Sequence, residues 1–498
     1  MKHARKNLVA LSLLCLPLLA FAGGQGETTE DDMSEEVTLE FYFPGERKID
    51  TDKVLETIEE RSRESLNVDL DFTWIPWGDY RNRISVINAA GEPYEAHFDA
   101  DWFVWGTLAP RGGLADISEM LPEYAPNLAS RYSELELASA TVNGALTALP
   151  WLYPGSQRRA AIVREDLRLE YGVPEIDSYD DLEVYLEAIS ENEPDLIPFV
   201  PQVNDSLIMF ADNYGYAILN TALQIVYKWD DPDMDLMTWE ETPEFRQAVE
   251  MMRRWYTNGY MPNDVLSMQQ QPGQLFENGR IAARVHLWQG EQDIKAALKA
   301  NFPDAEARAF NLYPDKTAHL SPPMNNAVAF NASADQLPRT LQFLEWIHAS
   351  QANYDLLIYG IEGEHFVDIG PGRFGHPEGV TQADHPYQNW LGQWGFWDIE
   401  LTRFPPSYPE TYRQDYIEDV NMNTQYWPHL GFVPSTEEVR TQVAQRQSIF
   451  EERGRALMFG VLDSSEIDSY IQEQENAGSD EIVAEMQRQL DAWRAENQ

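Results

Sequence analysis

The sequence predicts an α/β fold divided between two lobes, and three observations support this prediction. The runs VTLEFYF (37–43) and NVDLDFTW (67–74) place an apolar residue at every second position, which is typical of half-buried strands. A helical segment near 50–66 lies between them, and the order strand, helix, strand indicates parallel pairing. The chain has 498 residues, of which 43% are hydrophobic. That length exceeds one ordinary core and favours two lobes.

Capping signals predict further helices along the chain. Ser178 precedes DDLEVYLEAI as an N-cap, and Thr242 and Gly259 bracket the helix in TPEFRQAVEMMRRWYTNG. Apolar residues along one side of SADQLPRTLQFLEWIHAS predict another helix. From about residue 435 to 498 the pattern is mostly helical, with acidic faces. The second half of the fold therefore ends in a helical C-terminal region.

The N-terminus has the features of a secretory signal. A basic start precedes the apolar run 8–22, which is too short to span a bilayer and ends in Ala-Phe-Ala. We predict cleavage after Ala22, followed by an acidic leader at 23–36; a membrane anchor is the alternative. Cys15 is the only cysteine, and Leu14 before it disfavours lipidation there. The mature chain then has no thiol for a disulfide, a zinc ligand or a nucleophile.

The charge restricts the classes of partner. The formal net charge is −47, and such a surface repels phosphate backbones and anionic lipid head groups. Nucleic acids and membrane surfaces are therefore not expected partners, whereas an uncharged ligand is compatible. The excess of acids also suggests a saline habitat.

One short stretch resembles an active site. In GIEGEHF, residues Glu362, Glu364 and His365 lie within four positions, with Asp368 just beyond. Carboxylates and an imidazole at this spacing could hold a metal or transfer a proton. The alternative is a structural turn, for which Gly360 and Gly363 supply backbone freedom.

Other catalytic motifs are incomplete or absent in the sequence. The string GPGRFG (370–375) has dinucleotide-binding spacing, but Pro377 follows where a helix N-terminus is needed, so a glycine-rich turn is expected. The sequence has no HExxH, GxSxG or Walker loop. With 83 acidic residues, close carboxylate pairs arise by chance and do not identify a glycosidase.

Tryptophans give the most informative pattern. Trp102, Trp151 and Trp288 each follow an apolar strand-like run, and ligands of open α/β sheets bind beyond the carboxyl ends of the strands. We therefore predict these three rings as ligand platforms, with Asp101 as a hydroxyl acceptor; a loop or helix cap is the alternative role for Asp101. Other tryptophans have helical or strand-end spacing that favours packing. These are Trp74, Trp77, Trp390, Trp394 and Trp397.

The chain resembles the extracellular solute-binding proteins of ABC importers, specifically the family 1 carbohydrate binders and their lipoprotein-like sugar or oligosaccharide subgroup. The resemblance is carried by nine strings in order through nearly the whole mature chain. They are VTLEFYFPG, WGDYRNRISVINAAGE, GGLADISEMLPEYAPNL, VNGALTALPWLY, VREDLRLEYGV, TPEFRQAVEMMRRWYTNGYM, LFENGRIAARVHLW, LQFLEWIHASQANYDLLIYGIEGEHF and LGFVPSTEEV.

The resemblance implies a periplasmic-binding-protein fold of type II, with two α/β lobes joined by a hinge and closing on a sugar. It assigns 37–155 and 325–368 to the first lobe, and 156–324 and 369–498 to the second. It also implies a non-catalytic, monomeric, exported receptor that delivers a sugar or oligosaccharide to an ABC permease without a cofactor. Trp288 falls where relatives place a cleft aromatic, and GIEGEH recurs in this subgroup as a turn. A secreted carbohydrate hydrolase or lyase is the alternative function.

One departure from the family concerns calcium. Many relatives carry a loop rich in Asp, Asn and Gly after the helix that here ends near Ile189. In this chain the segment is SENEPDLIPF, which has no glycine for the sharp turn and few spaced oxygens. We therefore predict no bound metal, and the net charge argues against anionic sugars.

Overall fold

The computed structural model of the chain describes residues 34–201, 208–221, 223–268, 270–381, 384–388, 394–421 and 424–497. The predicted signal segment 1–22 with Cys15, most of the leader 23–36, and Trp390 lie outside these residues.

A five-stranded sheet forms the first part of the fold. Its spatial order is Val68–Ile75, Val37–Pro44, Ala96–Asp99, Ala327–Phe330, Ala148–Pro150. The first three strands are parallel, as the strand–helix–strand order predicts, and Val37 pairs with Val68 along an unshifted register. The fourth strand is antiparallel to both of its neighbours.

A second, four-stranded sheet has the order Ala307–Asn311, Arg159–Arg164, Ile281–Leu287, Ile197–Phe199. A third sheet has the order Met237–Thr238, Ile225–Lys228, Tyr216–Asn220. The remaining described strands form short pairs: Thr141–Val142 with Ala145–Leu146, Ala318–His319 with Thr424–Gln425, and Val367–Gly370 with Arg373–Gly375.

Helices cover these sheets. The described α-helices are Thr51–Ser62, Trp77–Ala90, Trp105–Leu108, Met120–Tyr124, Pro126–Ala129, Glu134–Ser139, Glu165–Glu170, Tyr179–Asn192, Ile208–Asn213, Pro243–Thr257, Pro272–Glu277, Glu291–Asn301, Leu337–His348, Gln351–Ile358, Tyr412–Asn421, Arg440–Ile449, Arg455–Met458, Ile467–Asn476 and Ser479–Asn497. A π-helical turn, Phe450–Gly454, joins two of them, and single 3₁₀ turns include Trp288–Gly290 and Trp394–Phe396.

The predicted caps are confirmed. The Ser178 side chain accepts from the Asp181 N–H, and the Thr242 side chain accepts from the Phe245 N–H at 3.1 Å. Gly259 follows the second of these helices with φ of 79°, a conformation that glycine adopts without strain. Local sequence therefore determines where these helices begin and end.

Two hydrophobic cores follow the two large sheets. The first contains the inward residues of the five-stranded sheet, and the second contains those of the four-stranded sheet together with Leu457 and Tyr470 from the C-terminal region. Phe374, Tyr387 and Phe396 pack in the first core, whereas the sequence-based division assigned 369–498 to the second lobe. That division stays a prediction.

Three chain segments lie side by side between the two sheets. The segment 151–158 leaves the first sheet for the second. Its Gly155 carbonyl accepts from the Ser321 N–H at 2.7 Å, and Ser321 lies on the segment 312–326 that returns to the first sheet. The third segment contains Trp397 and Ile399. The Leu152 N–H donates to the Trp397 carbonyl, and the Leu152 carbonyl accepts from the Ile399 N–H, both at 2.9 Å. These crossings bring the loops at the ends of both sheets together.

Among the described residues, no helix is both long and apolar enough to cross a bilayer.

Candidate ligand-binding site

Two of the predicted ligand platforms, Trp102 and Trp151, lie at the same edge of the first sheet. Because Ala148–Pro150 runs parallel to Ala96–Asp99 across the intervening antiparallel strand, the carboxyl ends of both strands lie at the same edge. Trp102 and Trp151 follow these ends. The Trp102 indole donates to the Asn325 carbonyl at 2.7 Å, and the Trp151 N–H donates to the Asn326 carbonyl at 3.0 Å.

The loop that carries Trp102 is held by a buried carboxylate that the sequence analysis did not select. Asp99 is fully buried, and its Oδ1 accepts from the N–H groups of Ala100, Val104 and Trp105 at 2.8 to 3.0 Å. Its Oδ2 contacts His97 Nε2 at 3.1 Å. Asp99 therefore fixes the turn that presents Asp101 and Trp102.

Asp101 lies in a partly dehydrated environment. Its side chain is exposed to solvent, yet the surrounding protein keeps enough water away to raise its pKa to about 6. The N–H groups of Trp102 and of Asp101 itself oppose this shift. By accepting from these N–H groups, the Asp101 carboxylate caps the loop, which is its alternative role. Its exposure also leaves it available to a ligand.

A continuous row of aromatic rings runs from the edge of the first sheet to the edge of the second. We call it the aromatic tract. Neighbouring ring centroids in it lie 5.2 to 6.5 Å apart, in the order Trp102, Trp77, Trp394, Trp397, Trp151, Tyr153, Tyr416, Trp288. Trp102 and Trp77 are 45% and 38% exposed, whereas Tyr153 and Tyr416 are buried. The tract thus offers accessible faces at its first-sheet end and half-buried ones further along.

The second end of the tract is built around Trp288. This residue follows Ile281–Leu287, as predicted, and its indole donates to the Asp419 carboxylate. The Gln289 side-chain amide donates to the Ser156 carbonyl at 2.9 Å, and the Gln289 backbone carbonyl accepts from the Tyr412 hydroxyl at 3.0 Å. The tryptophan is therefore held by both a connecting segment and a C-terminal helix.

The structure brings two of the predicted platforms into one cluster. Trp151 and Trp288 both pack against one buried cluster that contains three tyrosines. Trp151 contacts Tyr153, and Trp288 contacts Tyr412 and Tyr416. Trp102 lies at the opposite end of the tract, next to Trp77. The predicted residues are thus connected through other rings rather than grouped around a single point.

Several residues of the site were not selected from the sequence. Trp394 and Trp397 pack partly against the first core, as favoured, but they also form the middle of the aromatic tract. The tyrosines 408, 412 and 416 recur at every fourth position, a spacing that could have indicated one helix face. That spacing does not show which surface the face contacts.

Acidic groups accompany the rings at the second end. The Tyr408 hydroxyl donates to Asp293 Oδ1 at 2.8 Å, and burial raises the pKa of Asp293. Burial also raises the pKa of Asp419, which lies 3.7 Å from the Arg158 guanidinium. Burial and two nearby arginines lower the pKa of His286 to about 4. At neutral pH, His286 is therefore an uncharged donor and acceptor.

The GIEGEH stretch is structural. The His365 Nδ1 accepts from the Ile361 N–H at 2.9 Å, and its Nε2 contacts Asp50 at 3.2 Å. A Cβ on Gly360 would approach the His365 ring to 2.5 Å, and Gly360 has φ of 90°. His365 thus closes a turn, as the structural alternative predicts. Among the described residues, no group of His, Cys, Asp and Glu is arranged to hold a metal ion.

Two α/β cores joined by crossing segments, with aromatic rings between the sheet edges, define a two-lobed binding protein. The chain belongs to the bacterial extracellular solute-binding protein family, whose model matches residues 57–360. This match confirms the predicted family and the prediction of a transport receptor rather than an enzyme. A domain of unknown function matches residues 428–495, within the helical C-terminal region.

Known proteins support the same fold. The chain is similar to a carbohydrate ABC transporter substrate-binding protein of Streptococcus pneumoniae serotype 4, with 22% identity over 93% of this chain and 92% of the relative. It is also similar to the polygalacturonan/rhamnogalacturonan-binding protein of Bacillus subtilis strain 168, with 21% identity over 87% of each chain. The crystal structure of an N-glycan transport solute-binding protein from Streptococcus pneumoniae matches with a TM-score of 0.77 and 18% identity, covering 91% of this chain and 98% of that one.

Proposed function

We propose that this protein captures a neutral oligosaccharide between its two lobes and delivers it to the membrane permease of an ABC importer. The observation that carries this proposal is the aromatic tract, which extends from Trp102 on the first lobe to Trp288 on the second. The carbohydrate-binding relatives support a carbohydrate ligand, and the preference for a neutral one comes from the charge of this chain.

The chemistry of a sugar fits the tract. A pyranose has patches of C–H on its faces and hydroxyl groups around its rim, so it packs on flat aromatic rings and bonds to polar groups at their edges. Trp102, Trp151 and Trp288 are the proposed platforms, and Asp101 is the proposed hydroxyl acceptor. A row of rings suits several sugar units better than one, because each unit can occupy a different ring.

The surrounding charge supports a neutral ligand. Asp101 and Asp293 are carboxylates near the two ends of the tract, and the whole chain carries a net charge of −47. A ligand with many carboxylates would meet like charges at these positions. The expected ligand therefore presents hydroxyl donors rather than anionic groups.

The cellular setting follows from the sequence. The predicted signal at 1–22 exports the chain, and the mature receptor acts outside the cytoplasmic membrane, in the periplasm or its equivalent. The receptor is proposed to work as a monomer, without a cofactor or bound metal, with its two lobes meeting the two halves of a permease.

The test is a thermal-shift screen of the mature protein against neutral oligosaccharides, each paired with a uronate-containing oligosaccharide of the same length. A bound ligand at a hundred times its Kd should add about 2.7 kcal/mol to the free energy of unfolding. The proposal predicts stabilisation by a neutral oligosaccharide that remains chemically intact. Stabilisation by uronate oligosaccharides alone that is lost in Trp288→Ala would contradict a neutral ligand at the aromatic tract, and release of reducing ends would contradict a receptor.

A further inference from the structure

A second pocket lies behind the helix that supports Trp288. Its volume is about 690 Å³, and its walls are the turn between Val367–Gly370 and Arg373–Gly375, Phe404, and the outer face of Tyr412–Asn421. Tyr412, Tyr416 and Asp419 face the aromatic tract from this helix. Its pocket-lining residues are Arg413, Gln414, Ile417 and Glu418. The pocket is therefore separate from the proposed sugar site, and its volume suits a small ligand.

Two guanidinium groups line this pocket with incomplete hydrogen bonding. Arg373 Nη2 donates to the Pro405 carbonyl at 3.1 Å, and Arg413 Nη2 donates to the Thr402 carbonyl. Among the described residues, none accepts a hydrogen bond from the buried Nε and Nη1 of Arg373 or from the buried Nε of Arg413. Guanidinium donors without acceptors are costly, so a ligand that draws either side chain toward the pocket would gain their hydrogen bonds.

The nearby carboxylates leave these arginines available. Asp368 on the same hairpin pairs with Arg403 Nη1 at 3.0 Å. Glu418 on the pocket wall accepts from Gln414 at 2.8 Å, on the exposed face of the helix. Glu410 also lines the pocket and is exposed. Among the described residues, no carboxylate forms a salt bridge with Arg373 or Arg413.

We infer that this pocket binds a carboxylate group. A planar guanidinium fork matches a carboxylate with two parallel N–H donors, and two such forks line this pocket, Arg373 from the hairpin and Arg413 from the helix. Phe404 and Ile417 supply apolar walls for the organic part of the ligand. The carboxylate can come from a small solute such as a uronate, or from an acidic segment of a partner protein.

Titration calorimetry of the mature protein with D-galacturonate, with its neutral twin D-galactose, and with a hexaglutamate peptide tests the inference. Arg373→Gln and Arg413→Gln should each weaken carboxylate binding at least tenfold. Arg440→Gln should not, because Arg440 is exposed, pairs with Glu437 and does not line the pocket. Glu418→Gln should strengthen binding, because it removes a like charge. Tighter binding of galacturonate identifies a small solute as the source, and tighter binding of the peptide identifies a partner protein.

Gln414→Trp separates site occupancy from folding. Gln414 is exposed and lines the pocket, so a tryptophan there fills the space without removing an arginine contact, and carboxylate binding should be lost from a folded protein. Absence of carboxylate binding at 10 mM ligand (roughly 100-fold above a 0.1 mM Kd) would overturn the inference. Carboxylate binding that is unchanged in the folded Arg373→Gln/Arg413→Gln double variant would also overturn it. Both results are independent of whether an oligosaccharide binds the aromatic tract.

Discussion

The indole N–H of Trp288 donates a hydrogen bond to the carboxylate of Asp419, although 131 positions separate the two residues in the chain. Trp288 directly follows the strand Ile281–Leu287 of the second sheet, and Asp419 lies on the helix Tyr412–Asn421. The orientation of the proposed platform thus depends on a helix that joins the fold much later in the sequence. Because this hydrogen bond fixes the orientation of the indole ring, it should contribute to the affinity for a ligand that packs on the ring.

Trp288→Ala should weaken binding of the oligosaccharide more than any other single platform change. Loss of one buried aromatic anchor costs on the order of 2–4 kcal/mol, or roughly thirty- to a thousandfold in Kd. Trp102→Ala and Trp151→Ala should follow in that order. Titration calorimetry on the folded variants measures the effect. Trp346→Ala is the matched control, because Trp346 stacks on Phe343, which is not part of the tract. If all three platform variants bind like the parent, the site assignment is wrong.

Asp99→Ala should destabilise the protein strongly. The change leaves three buried N–H groups and His97 without their acceptor, and such losses cost on the order of 3–5 kcal/mol in total. Urea unfolding followed by circular dichroism measures this. Asp71→Ala, on the exposed side of Val68–Ile75, should change stability by less than about 0.5 kcal/mol. Similar values for the two variants would show that Asp99 does not hold the Trp102 turn.

The affinity for the ligand should fall as the pH drops below about 6. The pKa of Asp101 is raised to about 6 by its partly dehydrated surroundings, above an ordinary value of about 3.9. The folded state therefore holds this proton more tightly, so the stabilising contribution of protonated Asp101 is present below about pH 4 and is lost as the pH rises through about 6. Ligand binding has the opposite sign, because a hydroxyl acceptor works best as a carboxylate.

Calorimetric titrations between pH 5 and 8 measure this dependence. In Asp101→Asn the affinity should be lower at pH 8 and nearly constant down to pH 5. Asp71→Asn should retain the parent profile. A parent affinity that does not change across this range would exclude Asp101 as an ionised ligand contact.

Arg446→Met should loosen the C-terminal helical region. The Arg446 guanidinium donates to Glu240 at 2.9 Å, to Gln474 at 3.0 Å and to Leu223 O at 2.9 Å, and Glu240 is only 2% exposed. Removing one partner of a buried ion pair costs about 3–5 kcal/mol, because the other charge stays buried. Urea unfolding should show this loss, and Glu240→Gln in the same chain should restore part of it. Arg440→Ala is the exposed control; a loss no larger than the control would contradict a buried pair.

Ligand binding should bring the two lobes closer. Two lobes joined by crossing segments form a hinge pair, and a ligand that contacts both stabilises the closed arrangement. Small-angle scattering should therefore show a smaller radius of gyration when the oligosaccharide is saturating. An unchanged radius with ligand bound would count against closure.

The local features of the fold were predictable because their causes are local. Alternating apolar residues predict the strands Val37–Pro44 and Val68–Ile75, and Ser178 and Thr242 predict the starts of two helices, since side-chain period and capping involve residues a few positions apart. The nine sequence strings that resemble solute-binding proteins indicated the family. The sequence also indicated that a tryptophan follows each of several strands.

The sequence by itself thus determined the fold class, the family and the strand-end placement of Trp102, Trp151 and Trp288. Only the tertiary structure decided which rings meet. Trp288 contacts Tyr416, and Trp151 stacks on Trp397, because the crossing segments bring distant parts of the chain to the same place. No sequence period records such contacts, since they depend on how two sheets are positioned relative to each other rather than on the order of neighbouring residues.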